Sequence, residues 1–125
     1  MDVRSEIKVI TDILESGGHK HIIGLLQHGW LRGSGSVYFI DMELADFSLQ
    51  DYIQYLHGAK PIPAVSSVEP YSPVLVGKGS SLTERLHNVW TLATHISHGL
   101  EFLHSRGHVH RDVKPDNGKY IHMDC

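Results

Sequence analysis

"HVHRDVKPDN", residues 108–117, sets histidine, arginine, aspartate, lysine and asparagine around one proline, where a core strand would otherwise be expected. Held in a loop, Asp112 is a carboxylate that can accept a proton from a hydroxyl. Lys114, two residues on, can neutralise phosphate charge, and Asn117 can offer a side-chain oxygen to Mg²⁺. Pro115 fixes φ and stiffens the chain between them. These are parts for phosphoryl transfer, in which catalysis is mainly positioning and charge neutralisation.

Working outward, residues 82–105 put Leu86, Val89, Leu92, Ile96, Leu100 and Leu103 on one helical face, the strongest helix signal in the chain. Gly107 then turns the chain toward the polar cluster. Val3, Ile7, Ile10 and Leu14 have the one-sided spacing of a helix over 3–15, which "SGG" at 16–18 ends. "HIIGLLQHGWL" and "SVYFIDMEL" are short apolar runs separated by "RGSGS", and together they predict a β-hairpin. In "DFSLQDYIQYLHG", Phe47, Leu49, Ile53 and Leu56 lie near a helical repeat, with Ser48 as N-cap and Gly58 as stop. From 59 to 81, four of the five prolines cluster with serines and "GKGSS", which predicts a surface loop.

The composition excludes several classes. With 125 residues, 41% hydrophobic and 20% charged, the chain fits one modest soluble domain. A net charge of −3 provides no basic footprint for nucleic acid. The single cysteine, Cys125, cannot form an internal disulfide, which fits a reducing compartment. The first residues, "MDVRSEIKVITDIL", lack a basic n-region, and no run approaches the ~20 apolar residues of a membrane span. The expectation is an intracellular protein of the cytoplasm or nucleus, with no nucleic-acid or membrane partner.

The histidine, arginine, aspartate, lysine and asparagine spacing in "HRDVKPDN" resembles the catalytic loop of eukaryotic-type protein kinases. The resemblance implies that Asp112 is the catalytic base, Lys114 a phosphate contact and Asn117 a metal ligand, with His110 and Arg111 supporting the loop. Lysine two positions after the aspartate is typical of serine/threonine kinases. The order of elements upstream is similar as well. "RSEIKVI" resembles the αC helix, with Glu6 as the glutamate that pairs with the ATP-binding lysine. "VYFIDMELADFSLQDYI" resembles the fifth strand, hinge and following helix, which makes Met42 the gatekeeper and places the backbone of Glu43 and Ala45 against adenine. The implied fold class is α+β, a truncated protein-kinase-like fold spanning 1–125. In it 1–42 is a small-lobe remnant, 43–46 the hinge and 47–125 the start of the large lobe. ATP and Mg²⁺ are the implied cofactors, and a protein serine or threonine the implied substrate.

The departures lie at the ends. No glycine-rich loop or ATP-binding lysine precedes the first helix, and "GSGS" at 33–36 and "GKGS" at 77–80 fit ordinary turns better than the GxxxxGK[ST] spacing. After Asn117 the chain reads "GKYIHMDC", with no Asp-Phe-Gly, and Asp124 is not assigned a metal role. Isolated, this polypeptide is therefore expected not to transfer phosphate. A non-catalytic kinase-like interaction module is the alternative, associating with a partner or with itself through an exposed hairpin edge.

Plainer readings stand beside these. Glu6 is equally a solvated helix charge, Met42 an ordinary strand residue, and Trp30 and Trp90 packing residues. The chain holds eleven histidines, but His95 with His98, or His104 with His108 and His110, lack the convergent cysteine or carboxylate partners of a closed zinc site.

Overall fold

The structure, a computed structural model, describes residues 2–33, 35–58 and 79–121. The loop expected at 59–81 lies outside the described residues except for its last three positions, as do Lys78 of "GKGS", Asp124 and Cys125.

Helix α1, Val3–Glu15, starts where Asp2 accepts the backbone N–H of Arg4 and ends where Gly17 and Gly18 take positive φ. The left-handed conformation lets Gly18 N–H reach Ile13 O at 3.1 Å, closing the helix as glycine at a C-terminus commonly does. Its buried residues are Ile10 and Ile13, while Val3 and Leu14 are exposed. The inward face is thus turned from the Val3, Ile7, Ile10, Leu14 stripe, because this helix is covered along only part of its length.

Strands β1, Leu25–Trp30, and β2, Tyr38–Met42, form the antiparallel hairpin, with an irregularity between Leu25 and Gln27. Gly33 supplies a φ of 88° in the turn, a conformation that costs glycine little.

Two-residue strand β3, Phe47–Ser48, then leads directly into α2, Leu49–Leu56. Ser48 accepts the Asp51 N–H while Asp51 accepts the Ser48 N–H, a reciprocal capping box. Phe47 therefore belongs to a strand and not to the helical stripe, and Tyr52 is the buried residue of α2. A second capping box, Ser81 with Glu84, opens α3, Leu82–Ser105. A short 3-10 turn, Pro115–Asn117, and strand β4, Lys119–Tyr120, close the described chain.

The second sheet was not legible in advance. β4 pairs antiparallel with β3, Phe47 opposite Tyr120, and the two rings stack with centroids 4.7 Å apart. Leu49, Tyr55, Leu92 and Tyr120 pack around buried Phe47 and Tyr52, which form one buried cluster. The face of α3 fares differently from its pattern. Leu103 is buried, but Leu86, Val89 and Ile96 are exposed and Trp90 is 75% exposed, so the first half of the helix presents apolar surface. The architecture is α+β, with three α-helices and two small antiparallel sheets among the described residues. No helix among them is long and apolar enough to cross a membrane.

Candidate functional site

The loop after α3 is held by its own side chains. His110 Nδ1 accepts the backbone N–H of Asp112 at 3.1 Å, which places the proton of a neutral ring on Nε2. Asn117 Nδ2 donates to the Asp112 carbonyl at 2.9 Å and to its Oδ2 at 3.0 Å. Lys114 Nζ lies 3.6 Å from the same Oδ2. Asp112 is thus gripped through one carboxylate oxygen, while Oδ1 receives no hydrogen bond among the described residues and the side chain is 60% exposed. A carboxylate oriented in this way can accept a proton from a hydroxyl approaching Oδ1.

Arg111 has φ of 66°, the one positive value among the described non-glycine residues. A side chain in that region costs about 1–3 kcal/mol, and such strain persists where the surroundings over-determine the backbone. Here the overdetermination is visible on both sides, at the His110–Asp112 turn and at the Asn117 bonds. Pro115 at the start of the 3-10 turn provides a fixed φ just after them.

Residues 43–46 reach this loop through β3 and β4. Asp46 N–H donates to Tyr120 O at 2.8 Å, and Leu49 N–H to Gly118 O at 2.7 Å. Gly118 has no room to spare, since a Cβ there would sit 3.3 Å from Leu49 Cβ. Backbone hydrogen bonds therefore tie the segment after Met42 to the segment after Asn117, although most of the chain separates them in sequence.

At the other end of the 43–46 segment, Glu43 N–H donates to Gly24 O at 2.7 Å, and Glu43 Oε2 accepts Gly24 N–H at 3.2 Å. This clasp fixes the end of β2 against the start of β1. The carbonyl of Glu43 and the N–H of Ala45 take no hydrogen bond among the described residues, leaving one acceptor and one donor open. Met42 is half exposed at the strand end. Glu6 stands apart from all of this, exposed in the first turn of α1, its carboxylate without a partner among the described residues.

Among the described residues no group of three or more His, Cys, Asp or Glu side chains is placed to hold a metal ion. Asn117 keeps its amide oxygen free because both its bonds are made through Nδ2. One such oxygen fits Mg²⁺ only in a site completed by phosphate oxygens and water, the mode this ion favours.

Two polar clusters have no counterpart in the sequence patterns. Asp12 of α1 binds both Arg106 and His108. His21 stacks on His95 of α3 at 4.0 Å, with His98 at 6.1 Å. Periodicity reports only near neighbours, and these partners are too distant along the chain for it to register.

A scan against protein-family models, a search of curated proteins and a search of solved structures each found no match to this chain.

Proposed function

We propose that this chain carries the hinge and catalytic loop of a serine/threonine protein kinase domain, with Asp112 as the base that takes the proton of a protein hydroxyl. The observation that carries the reading is the grip on Asp112. Asn117 and Lys114 contact Oδ2, Oδ1 takes no hydrogen bond among the described residues, and Arg111 beside Asp112 has a positive φ. A serine or threonine hydroxyl losing its proton to Oδ1 gains nucleophilic character toward a phosphoryl group in line with it. Lys114, 53% exposed and only loosely paired at 3.6 Å, is able to turn toward the charge that develops on the transferred group.

ATP with Mg²⁺ would supply the γ-phosphoryl group and the neutralising cation. The open Glu43 carbonyl and Ala45 N–H match the donor and acceptor edge of adenine, and the Asn117 amide oxygen matches one place on the ion. The pairing of β3 with β4 bears on both sites at once, because it ties the backbone beside Ala45 to the backbone beside Asn117.

The second reading, a non-catalytic kinase-like interaction module, is favoured by the exposed Leu86, Val89 and Trp90 on α3. Calorimetric titration with Mg²⁺–ATP separates the two. Saturable binding that Ala45→Pro removes, by deleting the N–H, and that Asp112→Asn leaves in place, supports the kinase reading. Saturable binding indifferent to Ala45→Pro counts against it and favours the interaction module.

A further inference from the structure

Helix α1 and the segment running into the loop meet at one carboxylate. Arg106 Nε donates to Asp12 Oδ2 at 3.1 Å, and a second guanidinium nitrogen donates to Oδ1 at 3.3 Å, a two-pronged contact. His108 Nε2 adds a bond to Oδ2 at 2.8 Å, with its side chain only 12% exposed. Gly107, at a φ of 79°, makes the tight turn that brings both flanking donors onto the same acceptor. Arg106 also lies over the Phe102 ring, 5.2 Å from its centroid, which restricts the guanidinium. Among the described residues these are the only side-chain hydrogen bonds that α1 makes beyond Ser16.

Only Val109, His110 and Arg111 separate His108 from Asp112, and the interval is tied at both ends. His108 N–H donates to Leu103 O at 2.9 Å, and Asp112 N–H donates to His110 Nδ1 at 3.1 Å. The first bond holds His108 at the end of α3, and the second couples Asp112 to a residue two positions from His108, so the path from His108 to Asp112 is short.

We propose that Asp12 is a positioning residue for the loop: by holding Arg106 and His108 it makes the place of α1 set the place of Asp112. The inference rests on the reading of 108–117 as a catalytic loop. Isolated, partly exposed ion pairs add little to stability, so the consequence of this clasp is geometric. Hydrogen bonds from His108 first and Arg106 second hold the Asp12 carboxyl below its ordinary value of 3.8, so the acceptor stays ionised at neutral pH. Lys8 and Glu15 of α1 face the same groove and are the other charges beside Asp12.

The test is heteronuclear NMR on the full chain with Asp12→Asn, Asp12→Glu, Arg106→Gln and, as control, Lys8→Gln. Asp12→Asn is expected to move the amide resonances of 109–112 and to speed hydrogen exchange at His108 and Asp112 about tenfold, a local opening that leaves the hairpin amides in place. Asp12→Glu should restore part of the change, Lys8→Gln should cause none, and Arg106→Gln should return the Asp12 titration toward its ordinary value. Unmoved 109–112 resonances in Asp12→Asn overturn the proposal. So does an equal change throughout the chain, which would make Asp12 a support of the fold at large. Nucleotide titration of the same variants tests the kinase reading separately, since that reading fails on binding and this inference fails on the amides.

Discussion

Asn117 donates its side-chain amide to two oxygens of Asp112 at once, the backbone carbonyl at 2.9 Å and the carboxylate Oδ2 at 3.0 Å. The pair closes the loop on itself. Asn117→Ala is expected to lower stability by no more than about 1.5 kcal/mol, because both groups are exposed and water replaces the lost bonds. Its local effect should be larger, with altered resonances across 110–117. Asn117→Asp places a second carboxylate against Asp112, so its loop should be perturbed at neutral pH and recover in acid. NMR spectra of both variants against pH check this.

Ser48 is 4% exposed and gives its hydroxyl to the capping box of α2 while its backbone pairs with Lys119. Ser48→Ala removes the cap where water cannot replace it, and a loss of about 1–2 kcal/mol is expected in urea unfolding. Ser81→Ala, at an exposed capping box, should cost less, about 1 kcal/mol.

Gly99 lies in the middle of α3, where alanine would ordinarily stabilise a helix by about 1 kcal/mol. A Cβ at this position would come within 2.9 Å of the His21 backbone carbonyl, which has no flexible end to move aside. Gly99→Ala is therefore expected to destabilise by about 1–3 kcal/mol, and a higher urea midpoint would show that the connector can yield.

The stacked His21 and His95 rings make stability depend on pH. Burial first, then the charges of His95, Lys20, His19 and His98, push His21 down to about 4 from 6.5, and His95 is lowered by burial, Lys20 and His98. The unfolded chain takes up these protons before the folded one does. The contribution of these rings to stability is expected in full well above 6.5 and should be lost as pH drops through 6.5 toward 4. Urea midpoints at several pH values check the slope, which His21→Phe should flatten. An unchanged slope in that variant would assign the effect to other groups.

Local signals were written plainly enough to be read. The spans 3–15 and 82–105 form helices in the structure, since apolar spacing and the 17–18 glycines act on nearest neighbours. Ser48 caps α2, and "RGSGS" separates the two strands of the hairpin. The order of residues in 108–117 determines which side chains can meet within one loop, and the meetings among Asp112, Lys114 and Asn117 follow from that short reach.

Partnerships over long separations were decided by tertiary structure alone. Which side of α1 is buried, whether Leu86 and Val89 are covered, and that two residues after the loop become a strand against Phe47 all depend on what lies across from each element. The same holds for Asp12 with Arg106 and His108, and for His21 with His95. An aspartate on a helix is the same letter whether it faces water or a guanidinium from the far end of the chain. A sequence pattern reports the faces that an element offers, and only the packing of elements against one another selects the face that is used and the charges that meet there.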